Sequence, residues 1–306
     1  GLTRCEFKNA TCSGTGKPCV YGGVNVTDAL AVSSDAYFYN IGEKIMLDNN
    51  GGPVLQEQVR LFGFGADPGV ELPFAFDGTV PDKDLKKRYA EAEVITEAEG
   101  RDYYVADNVQ LAIGQGLLSA SPLQLTTAYA TIANSGFVYQ PKIVEAVWQP
   151  GVPDGEVGEV DFSRGTVADP RAEPVLVRQI PMPDDIRTPI VRGLERVIGP
   201  CCGVAGVNAG GGYRKTTGEN LFFDYPSEAI SLAGKTGTAQ GAKSYPWNDS
   251  SAFSAFSTDA AQPYVITAYF EKSGYGSQAA APAVKCLFLL MSGLRQPDKV
   301  ELSDPL

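Results

Sequence analysis

Apolar positions recur at helical spacing on both sides of a polar break at Ser33-Ser34-Asp35, so residues 24–46 are expected to form two helical pieces. Thr27 or Asp28 is suited to cap the first piece. Ser34 or Asp35 is suited to cap the second, which carries Phe38, Ile41 and Ile45 on one side. A further helix is expected over 121–136, with Ser121 as cap, Pro122 at the first helical position and Gly136 as stop. Its apolar face is Leu125, Ala128, Tyr129 and Ile132, and a strand should follow over 137–147. The pattern Ile190, Leu194, Val197, Ile198 predicts another helix over 184–199. Three strands follow, over 229–240, 250–259 and 263–274, and the short spacers between them favour antiparallel pairing. The apolar run 283–294 is shorter than a membrane span needs and reads as a buried terminal helix starting near Ala281-Pro282. Gly- and Pro-rich stretches at 61–82, 150–174 and 201–220 are expected to be loops, with 150–174 an insertion.

Composition narrows the chemistry. With 43% hydrophobic residues the 306-residue chain buries a substantial core, and a net charge of −11 without a basic run argues against nucleic acid as a partner. Histidine is absent, which excludes Ser–His and Cys–His catalysis and every metal site that uses histidine. No metal ion and no cofactor is expected; protons must move through Lys, Ser, Tyr or carboxylates. The six cysteines contain no C-x-x-C pair. Within the opening "CEFKNATCSGTGKPC", a disulfide and free buried thiols both remain open. No signal peptide is visible, and "GLTRCEF" has loop character, so a native N-terminus is expected upstream.

The stretch "SLAGKTGTAQG" (231–241) carries the strongest chemical signal. A phosphate-binding loop would require glycine at position 229, which holds alanine, and a helix after Lys235, where the pattern is that of a strand. The alternative is the K-T-G element of serine acyltransferases that use lysine in place of histidine. An edge strand offers unpaired backbone groups to a peptide. Gly237 removes a side chain that would obstruct its approach. Lys235 draws a substrate carboxylate and eases deprotonation of a nearby hydroxyl. Thr236 and Thr238, two apart on a strand, share a face and suit carboxylate binding. A lysine in an exposed turn is the plain alternative.

The neighbouring motifs decide between these. "SSDAYFY" (33–39), "FGFGADPGVELP" (62–73), "GQGLLSASPLQL" (114–125), "AGKTGTAQ" (233–240) and "AAAPAV" (279–284) occur in an order that resembles the class B penicillin-binding proteins of elongation type, from about residue 20 to about 294. The resemblance implies an α/β (α+β) transpeptidase fold, related to serine β-lactamases: a five-stranded antiparallel sheet flanked by helices, a helical subdomain, and a site between them. It also implies D,D-transpeptidation of peptidoglycan stem peptides ending in D-Ala-D-Ala, through a serine acyl-enzyme that β-lactam antibiotics trap.

The family's nucleophile lies in Ser-x-x-Lys, and no serine here has lysine three residues on. The chain therefore reads as a C-terminal part of the domain (1–306), with the first strands and the nucleophile helix expected in a missing N-terminal part. By resemblance Ser33 relays protons, and Lys235 orients it. Asp35 stands where asparagine usually holds the substrate amide, and an acid there needs a cationic partner or a raised pKa. Thr236 and Thr238 bind the carboxylate, and the Thr238 N–H forms half of an oxyanion hole. Relatives often carry Trp-Phe where this chain has Ala252-Phe253. Tyr37, Phe38 and Tyr39 are expected to pack in the core. An extracytoplasmic, membrane-anchored setting and cell-wall synthesis partners are implied as well. A non-catalytic peptide- or partner-binding module, or a β-lactamase or β-lactam sensor, are the alternatives on the same fold. The enzymatic reading requires the 235–238 edge to face the break near residue 34 across one groove.

Overall fold

A computed structural model describes residues 7–9, 17, 19–149, 166–170, 173–199, 216–241 and 248–294. The helical half comes first: α1 (Val26–Val32), α2 (Asp35–Asp48), α3 (Val54–Leu61), α4 (Lys83–Glu91), α5 (Glu97–Gly100), α6 (Val105–Leu111) and α7 (Pro122–Ala133). Two ribbons follow, from β1 (Phe137–Tyr139), β2 (Ala146–Gln149), β3 (Thr166–Pro170) and β4 (Leu176–Gln179). The chain closes with α8 (Asp184–Ile198), α9 (Glu219–Phe222), β5 (Leu232–Ala239), β6 (Ser250–Ser257), β7 (Val265–Phe270) and α10 (Ala280–Met291).

The main sheet is antiparallel in the order β5-β6-β7, three strands among the described residues. Lys235 stands opposite Ser254 and Gly237 opposite Ala252. β5 has β6 on one side and no described strand on the other, which makes it an edge. Alternation along β5 divides the core. Leu232 joins Phe222, Phe253, Ala281, Val284 and Phe288 on the α10 side. Ala233 joins Phe256, Val191 and Leu194 on the side of α7 and α8. This two-sided burial holds the strand that carries Lys235 rigid.

Several local expectations change. Asn25, not Thr27 or Asp28, caps α1, its side chain accepting the Asp28 N–H. Thr27 is instead drawn away by its hydroxyl, which donates to the Pro189 carbonyl at 2.9 Å. Ser34 caps α2. The strand expected over 137–147 is broken into β1 and β2, which pair with β4 and β3 respectively. Pro141 lacks an N–H, and the amides of Ile143 and Val144 are taken by the Glu71 carboxylate at 3.1 and 3.2 Å instead of a neighbouring strand. Thr166–Pro170, inside the expected 150–174 loop, forms β3. The rest of that loop from 150 to 165, and 201–215 of the Gly-rich stretch, lie outside the described residues.

Ser121 caps α7 in a full capping box with Gln124. Gln124, 1% exposed, then uses its amide to hold the Gly- and Pro-rich loop, donating to the carbonyls of Gly63, Ala66 and Asp77. The opening segment packs through Cys19, Tyr21 and Val24 against Ala31 and Val32. Cys19 is disulfide-bonded, whereas Cys286 is a free thiol.

Candidate functional site

The site begins with an unusual backbone. Ser33 ends α1 in the left-handed region, at φ 55° and ψ 60°, a conformation costing a non-glycine residue roughly 1 kcal/mol. The turn is locked on both sides. The Ser34 N–H donates to the Ala29 carbonyl at 2.8 Å, and the buried Ser34 hydroxyl accepts from the Tyr37 N–H and donates to Asn9 Oδ1. Ser34 is thereby committed to structure, and Ser33 is turned the other way.

Lys235 meets it there. Its Nζ donates to Ser33 Oγ at 2.8 Å and to the Thr236 carbonyl at 2.9 Å, with Thr236 Oγ1 at 3.5 Å. Residues 202 positions apart are thus brought into direct hydrogen-bond contact. Burial pushes the Lys235 pKa down to about 8, and the Asp35 carboxylate opposes that fall. Asp35, in the first turn of α2, thus acts on Lys235 as a nearby negative charge. The Tyr39 phenol is pushed up by burial and then by Asp35. Tyr37, Phe38 and Tyr39 are only partly buried, so they do not fill a core as expected.

The phase of β5 follows from its neighbours. Thr258 N–H donates to the Ser231 carbonyl, whereas Ser257 N–H donates to Tyr264. Even-numbered residues of β6 therefore face β5, and their partners Lys235 and Gly237 point their backbone groups inward. Thr236 and Thr238 then direct both N–H and C=O to the free edge. The Thr238 carbonyl accepts from Gln115 Nε2 at 3.1 Å. Its hydroxyl accepts from the Gly276 N–H at 3.3 Å, an arrangement that leaves the O–H proton to be directed elsewhere. A Cβ on Gly237 would sit 3.3 Å from the Ala252 Cβ, so the glycine and the small residue opposite it are closely matched.

Two features escaped sequence reasoning. Gln115 lies inside a stretch singled out for its order along the chain, but only its flanking glycines gave any local signal. The other is the spacer between Ser33 and Lys235. Helix α8 packs on α1 on one side and on β5 on the other, and Asp28 of α1 pairs with Arg196 of α8. The contact is closest at Gly193, where a Cβ would lie 2.9 Å from the Leu30 side chain and 3.0 Å from the Thr27 carbonyl. Gly193→Ala is expected to lose about 1–2 kcal/mol in urea unfolding, overpacking outweighing the gain in helix propensity. A variant as stable as wild type would show that the α1–α8 contact does not fix this spacing.

The penicillin binding protein transpeptidase domain family matches residues 10–288. Peptidoglycan D,D-transpeptidase MrdA of Haemophilus influenzae is 28% identical over 279 residues, covering 87% of this chain and 36% of that protein. The chain thus spans about a third of that relative's length. Among solved structures, Pseudomonas aeruginosa PBP2 superposes with a TM-score of 0.64 at 21% identity, covering 97% of this chain and 57% of that one. PBP2 of Helicobacter pylori, solved in complex with MreC, gives 0.56 at 24%, covering 90% and 40%. At these identities the structural likeness speaks for the fold.

Proposed function

Because the chain belongs to the penicillin-binding protein transpeptidase domain family, we propose that it is the part of a peptidoglycan D,D-transpeptidase that grips the stem peptide and moves protons, with the acylated serine supplied by a Ser-x-x-Lys segment outside these 306 residues. The observation that carries this reading is the 2.8 Å contact between Lys235 and Ser33 beside the free edge of β5. With a pKa of about 8, Lys235 is neutral in about a tenth of molecules at pH 7, enough to exchange a proton with the hydroxyl it touches. Ser33 relays that proton toward the leaving amine. Thr236 and Thr238 receive the terminal carboxylate, Gly237 keeps the approach to the strand clear, and Asp35 holds the charge balance around Lys235. The outward N–H of Thr238 is one donor for the oxyanion that forms on acylation. β-Lactams, as acylating mimics of D-Ala-D-Ala, bind the completed groove.

No helix among the described residues is long and apolar enough to cross a membrane. Membership of this family supports an extracytoplasmic, membrane-associated setting for the whole protein. The H. pylori PBP2–MreC complex supports elongation-type cell-wall synthesis proteins as partners. The absence of Ser-x-x-Lys gives one rival reading weight, that of a peptide-binding module without chemistry.

Fluorescent penicillin separates the two. The chain mixed with the family's upstream Ser-x-x-Lys segment is expected to become covalently labelled on the added segment, and the chain alone to stay dark. Labelling of the chain alone refutes an external nucleophile. D-Ala-D-Ala affinity with no labelling in either sample supports the binding module.

A further inference from the structure

Gln115 is set up by the end of α6. The Gln115 N–H donates to the Gln110 carbonyl at 3.0 Å and the Gly114 N–H to Leu111 at 3.0 Å, with Gly114 left-handed at φ 73°. This pair of bonds is a Schellman motif, and it throws the next residue clear of the helix. Gly116, also left-handed at φ 74°, turns the chain away again. Gln115 is thus held out on a tight two-glycine turn, and its carboxamide crosses to β5, 123 positions away, to reach the Thr238 carbonyl.

Helix α6 is itself fixed to α2, since the buried Asn108 amide donates to the Gly42 carbonyl at 2.7 Å. The helical half and the sheet are therefore tied twice: by Lys235–Ser33 and, three residues further along β5, by Gln115–Thr238. The second tie uses a backbone acceptor on the free edge. An extended peptide that adds to an edge strand pairs its N–H groups with such outward carbonyls. The Thr236 carbonyl is already occupied by Lys235, so Thr238 offers the next acceptor along the edge.

We propose that Gln115 is a latch: its carboxamide imitates a peptide N–H at the edge of β5, and an incoming acyl peptide displaces it from the Thr238 carbonyl. The proposal rests on the reading of the groove as a peptide site. It makes Gln115 a specificity residue, because only a ligand that brings its own N–H to this carbonyl replaces the bond it breaks. A ligand with an ester or methylene at that position leaves the acceptor unpaired.

The test uses the isotope-labelled full chain and the probe N,N′-diacetyl-L-Lys-D-Ala-D-Ala, followed by NMR. In wild type the Gln115 Nε2 protons are expected to move to free-amide positions as the peptide saturates. Gln115→Ala is expected to bind about five-fold tighter, since one competing hydrogen bond of ordinary strength is removed. Gln115→Met, which keeps the length and lacks the donor, should do the same and covers the case in which the alanine variant folds poorly. Equal affinities with unmoved Gln115 resonances overturn the latch and leave the groove reading intact. Weaker binding by both variants makes Gln115 a direct ligand contact and also overturns displacement. If the peptide binds neither wild type nor variants, the groove reading itself falls, and the latch falls with it.

Discussion

Lys235→Met is expected to make the protein more stable at neutral pH by roughly 1 kcal/mol while abolishing penicillin labelling of the reconstituted site. The lysine pKa falls from 10.5 to about 8 chiefly because burial disfavours its charge. That difference corresponds to about 3 kcal/mol of destabilisation carried by the folded chain wherever both states are protonated. Methionine fills a similar volume without the charge. Its cost is the loss of the hydrogen bonds to Ser33 Oγ and the Thr236 carbonyl, together about 2 kcal/mol net. The sign of the pH dependence follows. Between pH about 8 and 10.5 the unfolded chain still holds a proton that the folded chain has released, so wild-type stability rises with pH across that window. The Tyr103, Tyr129 and Tyr225 phenols are pushed up by burial, so above their ordinary value of 10.0 they act in the opposite sense. Urea unfolding at pH 7 and pH 9.5 reads both effects. Wild type should gain stability between the two pH values, and Lys235→Met should not. A methionine variant less stable than wild type at pH 7 would refute the account of Lys235 as a strained, desolvated base.

The same residues show what a sequence conveys about such a site. The K-T-G strand and the Ser33-Ser34-Asp35 break were legible because their chemistry is local. A strand must alternate, a helix must be capped, and a short polar break between apolar faces leaves a side chain to project. The division of labour inside the break was legible only through the family resemblance, which singled out Ser33, and not from residue type. Ser33 and Ser34 are chemically identical, and only the left-handed turn at Ser33 sends one to Lys235 and the other to Asn9. The cap at Asn25 was missed because Thr27 and Asp28 are equally good capping residues by type, and tertiary contacts with Pro189 and Arg196 claim them. The break at Pro141 carried its own signal, a missing N–H, which the alternating apolar pattern outweighed. Long-range ties such as Gln115 to Thr238 leave no periodic trace. They depend on where two distant turns arrive, and residue type alone does not encode that.

Phe222→Ala is expected to cost about 3–5 kcal/mol, the largest single-residue loss of stability anticipated for this chain. The ring is 1% exposed and sits at the end of α9. It stacks on Phe253 with centroids 5.7 Å apart and meets the Tyr225 ring edge-on at 5.6 Å. Phe253 is paired with Thr236 across β5 and β6, so the ring of Phe222 supports the strand from directly behind the residue next to Lys235. Removing it leaves a void that its neighbours, Val197, Ile230, Val284 and Phe288, fill only in part, because they are themselves held between the sheet and its helices. The functional consequence follows from the same geometry. If the void lets β5 relax or water reach its back face, the burial that depresses Lys235 weakens, and its pKa should climb from about 8 toward 10.5. Phe222→Leu, which keeps most of the volume, should lose less than half as much stability and leave the lysine near its wild-type value. Urea unfolding gives the first quantity, and ¹⁵N-lysine NMR titration gives the second. An alanine variant that loses under 1 kcal/mol would mean that Phe222 does not support the strand. An unchanged lysine titration in a clearly destabilised variant would mean that the core behind β5 and the groove in front of it are energetically independent.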